Sequence, residues 1–269
     1  MKIAFLSKDY PPDLIGGVGT YIYEISRLLA KIGHTVFVVT CAKDIPLEYN
    51  DAGVTIFRVK AKRLKILDQL RTKIGGLIER LEYSLAVSGK IDEIVKHYGL
   101  DLIETSEARA EGFWYYLFHK HPPLIIKLHT PETFAFALDH TPDTLDYRLI
   151  KSLEEYWLQK ASRKIGLSRD VVELTARHFK IHLGNVPSVP NPIDTNFFKP
   201  AHDLLLNDFP HILYVGRLEF RKGIHTLIRA FSYLQDFLPQ ARLTLIGADC
   251  GMKGYLFEKI AKLKYPERD

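Results

Sequence analysis

Short β-branched or apolar runs alternate along the chain with longer segments whose apolar residues recur every three or four positions. This is the pattern of a parallel sheet wrapped by helices, so the chain reads as α/β. Ile3 to Leu6 is the first strand, and beyond Pro11-Pro12 and a glycine cluster a helix runs from about Thr20 to Ile32, closed by Gly33. Val36 to Thr40 and Val54 to Val59 follow as nearly unbroken apolar strands of the kind buried on both faces. Further strands are expected at Leu102 to Thr105, Leu124 to His129, Lys164 to Ser168 and Val186 to Val189. Between them, Leu145 to Ala161 carries Leu145, Leu149, Leu153, Trp157 and Leu158 as one helical stripe, and Val171 to Phe179 behaves alike.

Four prolines at 187, 190, 192 and 200 interrupt this rhythm and mark a hinge, which divides the chain into domains at 1–195 and 196–269. The pattern then restarts with strand Ile212 to Val215, helix Gly223 to Leu234, strand Leu243 to Ile246 and helix Tyr255 to Leu263. Two strands and two helices are roughly half of what a doubly wound domain needs to cover its sheet, so the second domain reads as incomplete.

With 269 residues, 46% of them hydrophobic, the chain has material for a packed core, which excludes disorder. The 37 Lys and Arg against 32 Asp and Glu form no long single-sign block, so a nucleic-acid partner is not expected. Cys41 and Cys250 lie too far apart in sequence for a CxxC site, which fits a reducing cytoplasm. His119, His121, His129 and His140 lack HxxxH or HExxH spacing, so no metal is assigned. The first apolar run stops at Ser7-Lys8-Asp9, too early for a signal peptide, and any membrane contact would be peripheral. For such contact the segment 60–81 offers a basic face beside Leu64, Leu67, Leu70, Ile74, Leu77 and Leu81 at helical spacing. An ordinary helix packed on the sheet with a solvated basic face explains the same pattern and is the simpler reading.

Two loops could carry chemistry. Gly16-Gly17-Val18-Gly19 stands between the first strand and the first helix, where backbone amides can receive a phosphate, although a tight turn reads the same way. Its spacing is not GxGxxG and Val36 to Thr40 ends without an acid for a ribose, which disfavours a nicotinamide enzyme. Gly216 to Gly223 follows the first strand of the second domain, and there Arg217, Lys222 and the amide of Gly223 could meet one pyrophosphate. The alternative is a solvated basic loop.

Taken in order, Tyr10-Pro11-Pro12, Gly16-Gly17-Val18-Gly19, Gly33-His34-Thr35-Val36, Asn191-Pro192-Ile193-Asp194, Gly216-Arg217-Leu218 and Lys222-Gly223 resemble the family 4 retaining glycosyltransferases of the GT-B fold. The resemblance implies two Rossmann-like domains across a cleft, an acceptor (glycan, lipid-linked or small molecule) on the first and a nucleotide-sugar donor on the second. It also implies transfer with retention and no metal or other cofactor. Carried over by position, Gly16, Gly17 and Gly19 form the loop that closes on the donor phosphates. Arg217 and Lys222, beside Gly223, neutralise the leaving diphosphate, and His129 lies beside the donor sugar. Asn191 and Asp194 shape the hinge. The closely spaced glutamate pair that the resemblance implies has no counterpart, since Glu258 and Glu267 fall on a helix and at the terminus and the strand expected before the pair is absent, so transfer by these 269 residues is expected to be impaired. The incomplete domain predicts self-association, and a basic helix on lipid would place the protein at the inner face of the membrane. Two other classes compete: a non-catalytic binding or scaffolding remnant, and an epimerase or reductase. The last would want a dinucleotide fingerprint with Tyr-x-x-x-Lys, of which Tyr147 to Lys151 has only the spacing.

Overall fold

Continuous apolar runs become strands with two buried faces. The computed structural model describes residues 1–13, 16–43, 47–138, 142–200 and 209–250, and the chain divides into two compact units, Met1–Phe198 and Lys199–Asp269. The first unit holds β1 (Lys2–Leu6), β2 (Thr35–Cys41), β3 (Leu47–Asp51), β4 (Val54–Val59), β5 (Leu102–Ser106), β6 (Leu124–Leu128) and β7 (Arg163–Gly166). They form one sheet in the order β3-β4-β2-β1-β5-β6-β7, parallel except for β3 at the edge.

Its helices are α1 (Gly17–Lys31), α2 (Arg71–Tyr98), α3 (Phe113–Phe118), α4 (Glu132–Leu138), α5 (Leu145–Lys160) and α6 (Arg169–Phe179). Strand alternation sends Ile3, Phe5, Val36, Val38 and Ile56 to the face covered by Tyr21 and Ile22 of α1. Ala4, Leu6, Phe37, Val39 and Phe57 face the other way, toward Tyr83, Val87 and Ile91 of α2 and the fully buried Trp157 of α5. Burying each large apolar side chain contributes about 1.5–3 kcal/mol, so this two-sided layer dominates the unit's stability. The second unit pairs β8 (His211–Val215) in parallel with β9 (Arg242–Ile246), with α7 (Ile224–Phe237) between them in sequence. Its core gathers Ile224 and Ile228 with Tyr214, Leu218, Leu227 and Leu245.

Four expectations change. The glycine cluster is not wholly a loop: α1 begins at Gly17, so Gly17 and Gly19 are helical and only Gly16 stays outside as the cap. β3 escapes the sequence reading because Leu-Glu-Tyr-Asn-Asp is a polar edge strand, which needs no buried alternation. It pairs through a hairpin at Ala52-Gly53, both left-handed at φ 51° and 89°. Val186 to Val189 forms no strand. Pro187 and Pro190 have no N–H to give, and a single bridge from Ser188 to Gly166 is all that forms.

The segment 60–81 is not one helix. A 3-10 turn spans Lys65–Leu70, and α2 begins at Arg71 and is kinked at Ile74 (φ −138°, ψ 40°), just before the weak helix formers Gly75 and Gly76. The α2 residues Ile78, Tyr83, Val87, Ile91 and Ile94, not the leucine stripe, are the buried apolar ones. The helix expected at Tyr255 to Leu263 lies outside the described residues, as do Glu258, Glu267 and His140. No described helix is long and apolar enough to cross a membrane.

Candidate functional site

Helix amino ends need acceptors for their free amides, and in the first unit side chains supply them almost everywhere. Thr144 accepts from Tyr147 N at 3.2 Å to cap α5, and Ser168 accepts from Val171 N at 3.3 Å to cap α6. Ser84 and Ser88 accept from Trp114 and Tyr115 at the start of α3. Asp146 takes the amides of Gly76 and Leu77, both at 2.9 Å, where α2 resumes after its kink. Glu154 takes those of Glu132 and Thr133 at the start of α4. The first turn of α2, behind Leu70, has no such acceptor among the described residues, and neither has α1. Its cap is Gly16, extended and without a side chain to accept, no acid lies in its first turn, and there is open space where a Cβ would stand at Gly16 or Gly17. This uncapped end sits at the carboxyl edge of the parallel sheet, where ligands of open α/β sheets bind.

His129 follows β6 at the same edge. Its ring packs on Tyr21 of α1, with centroids 5.1 Å apart. Tyr21 donates to Glu104 at 2.6 Å, and the buried Lys127 ammonium lies 3.9 Å from the centroid of the Tyr21 ring. Burial, aided by the Lys127 charge, lowers the His129 pKa to about 4, so the imidazole is neutral at physiological pH. One carboxyl group, that of Glu107, holds its backbone, and a second buried one, that of Glu111, holds the loop after β1. The backbone N–H of His129 donates to both oxygens of Glu107, each at 3.0 Å. Glu107 is wholly buried, and that burial pushes it up to about 8. Glu111 accepts from Lys8 N at 2.6 Å and is pushed by burial to about 7 against the pull of Arg109. Consecutive left-handed residues, Arg109 (φ 66°) and Ala110 (φ 48°), shape the turn between these two glutamates.

Arg58 secures the approach to α1. It is buried, pairs with Asp13 at 3.2 Å, and donates to the carbonyls of Tyr10, Pro11 and Cys41. The Tyr10-Pro11-Pro12-Asp13 turn is thus held by a charge-assisted fork on the strand-side edge of the sheet.

In the second unit the loop after β8 is drawn against the loop after β9. Gly216 N donates to Ile246 O and Leu218 N to Ala248 O, both at 2.9 Å. A Cβ on Gly247 would meet the Gly216 carbonyl oxygen at 1.8 Å. Arg217 and Lys222 stand on opposite sides of the buried Glu219 in sequence. Arg217 lies 3.4 Å from that carboxylate and Arg221 2.6 Å, whereas Lys222 is exposed and makes no side-chain hydrogen bond or ion pair among the described residues. Gly223, left-handed at φ 71°, opens α7 without a side-chain cap. Cationic side chains and an uncapped helix end therefore share one strand-to-helix loop. At the boundary Asp194 accepts from the amides of Asn196 and Phe197, a turn-shaping role. Tyr147 donates to the carbonyl of Thr133 at 3.2 Å, which gives it a structural use in place of a catalytic pair with Lys151.

Sequence reasoning brought forward Gly16, Gly17, Gly19 and His129, which the fold gathers in the first unit, and Arg217, Lys222 and Gly223, which it gathers in the second. It missed Glu104, Glu107, Glu111, Lys127 and Glu154. Signals existed: Lys127 interrupts the run Leu124 to Leu128, Glu154 falls on the buried stripe of α5, Glu104 lies within the buried β5, and Glu107 follows directly on it. A charge at a buried position needs a partner, and that need is itself informative.

Residues 15–197 match the profile described as Glycosyltransferase Family 4, and residues 197–268 match Glycosyl transferases group 1. An uncharacterized glycosyltransferase of Methanocaldococcus jannaschii is 25% identical over 95% of this chain and 65% of its own length. The D-inositol 3-phosphate glycosyltransferase of Pseudarthrobacter chlorophenolicus is 26% identical over 91% and 60%. The chain thus spans less than two thirds of these curated relatives. Among solved structures, the sucrose-phosphate synthase of Thermosynechococcus elongatus superposes with a TM-score of 0.69 at 20% identity, covering 96% of this chain and 67% of that one. The catalytic domain of starch synthase IV from Arabidopsis thaliana gives 0.63 at 14% identity, covering 99% and 74%. These likenesses show the GT-B type of α/β fold, and with its profile covering residues 15–197 the chain belongs to glycosyltransferase family 4.

Proposed function

We propose that the protein moves a sugar from a nucleotide-sugar donor to an acceptor with retention of configuration and without a metal. The observation that carries this reading is the amino end of α1, capped by a glycine with no side-chain acceptor among the described residues, with a neutral, buried histidine packed on its Tyr21. Backbone amides there can receive donor phosphate oxygens that a capping side chain would otherwise exclude. In the second unit Arg217 and Lys222 meet the diphosphate as the bond from the sugar's anomeric carbon breaks and the electron pair leaves on the phosphate oxygen. His129, being neutral, offers the sugar a hydrogen bond without competing positive charge. The first unit carries the acceptor and the second the donor nucleotide.

Titration calorimetry with UDP, GDP and ADP tests this reading: one of them should bind, and Lys222→Ala should weaken it about tenfold or more. Absence of binding by all three overturns it. The proton NMR coupling of the product's anomeric centre then reads retention or inversion.

The reading extends to location and assembly. It places the transfer in the cytoplasm, with Cys41 and Cys250 free. Lys60, Lys62 and Lys65 are exposed around Ile66, which is 89% exposed, a combination suited to an anionic lipid surface at the inner face of the membrane. Sedimentation with phosphatidylglycerol vesicles, lost on Ile66→Glu, checks that contact. Leu213, Val215 and Ile246 of the β8–β9 sheet are exposed, and self-association through them is expected by light scattering.

A further inference from the structure

The segment that carries His129 from β6 into α4 is short, and it is gripped from two sides by carboxyl groups that no cation among the described residues neutralises by direct hydrogen bond. From the end of β5, Glu107 accepts the His129 amide on both its oxygens, at 3.0 Å each, and its charged form is further favoured by the Thr130 amide. From α5, Glu154 accepts the amides of Glu132 at 2.9 Å and Thr133 at 3.3 Å, together with the Thr133 hydroxyl. His178 completes that end through a 2.9 Å contact between its Nε2 and the same hydroxyl. Both carboxyl groups are wholly buried.

Burying two acids in one region is costly, and a core built for stability alone would fill these positions with apolar side chains. What the acids provide is acceptors for a loop whose amides would otherwise be orphaned, and they fix its path from residue 129 to residue 133 within hydrogen-bond tolerance. We infer that Glu107 and Glu154 are positioning residues that together set the place of the His129 ring against Tyr21, rather than parts of the general core. Neither is asked to touch substrate. The inference rests on the proposed role of His129 only for its use in transfer; the clamp itself is a property of the unliganded protein.

Amide hydrogen exchange and the His129 ring proton shifts, measured by NMR on the full chain, test it. Glu107→Leu removes both acceptors, and exchange at His129 and Thr130 should speed about tenfold or more, the cost of one orphaned amide. The ring-current shift that Tyr21 gives the His129 protons should collapse, whereas Val38 and Ile56 in the central strands keep their protection. Glu107→Gln leaves one acceptor oxygen and should fall between, with a partial ring shift. Glu154→Leu should free the amides of Glu132 and Thr133 in the same way. Uniform acceleration across the strands would make these glutamates ordinary core residues and overturn the inference. If Glu107→Leu does not fold, the glutamine variant decides: unchanged exchange and ring shifts at His129 overturn it, and selective change supports it. Because no nucleotide enters the measurement, a failure of nucleotide binding and a failure of the clamp are separate results.

Discussion

The two units each start a helix with an uncapped glycine after a parallel strand, yet they equip that end differently. At α1 the cations of the approach are paired, Arg58 and Lys43 with Asp13 and Lys8 with Glu79, and the other surroundings are buried acids, a neutral histidine and an enclosed lysine. At α7 the loop carries Arg217, Arg221 and Lys222 within six residues, with Glu219 buried among them. One end is an electrostatically quiet seat made of backbone, the other a concentrated charge held partly in reserve. For a reaction that creates negative charge on a leaving group, the second arrangement follows the charge as it develops and the first fixes geometry.

The largest expected effect strikes the second loop. Gly247→Ala places a methyl group inside the Gly216 carbonyl and should cost about 4 kcal/mol, in the range reserved for named steric faults. Denaturant unfolding of the second unit reads it, and a cost below about 1 kcal/mol would show that the two loops do not need their close approach.

Next come the cations. In a protein assayed with its native donor, Lys222→Ala should raise the barrier by on the order of 3 kcal/mol and Arg217→Ala by less, because Arg217 already shares Glu219. The reverse order in kcat would mean that Arg217 leaves Glu219 when donor binds.

A pH scan probes the quiet end. The carboxyl groups of Glu107, Glu111 and Glu154 are raised by burial from 4.5 to about 8, 7 and 7, so the folded state holds protons that the unfolded chain releases. Their contribution is complete below 4.5 and lost as pH rises toward 8. His129 and His178, lowered to about 4 from 6.5, act oppositely, with a contribution present above 6.5 and lost toward 4. Between pH 6.5 and 8 only the carboxyl groups remain, so the first unit should lose stability there. Glu107→Gln should flatten that decline in thermal melts, and an equal slope in both proteins would remove Glu107 from the account.

The smallest effect sharpens the comparison most. Gly17 lies in the first turn of α1 with nothing within 4 Å of a would-be Cβ, so Gly17→Ala should stabilise the first unit by about 0.5–1 kcal/mol. Nucleotide affinity should fall at the same time, because a methyl group now occupies the seat. Stabilisation with unchanged affinity would place the phosphate elsewhere.

The alternation of apolar runs and amphipathic periods was sufficient to determine the α/β class, six of the seven strands of the first sheet and both strands of the second. Those signals arise from solvent exclusion, which acts residue by residue and leaves its period in the chain. The glycine loop, Arg217 and Lys222 stood out as candidates through local chemistry and order, and His129 only through the family resemblance. Other features depended on distant partners. β3 exists because β4 offers it an edge, and α2 takes its register from the sheet packed against Tyr83 to Ile94, not from the leucines that open the segment. Glu107 and Glu154 look in sequence like solvated acids, one after a strand and one on a helix. Only the folded chain brings the amides of residues 129 to 133 to them, because a buried carboxyl group is defined by the donors around it, and those donors lie 21 or 22 residues away along the chain.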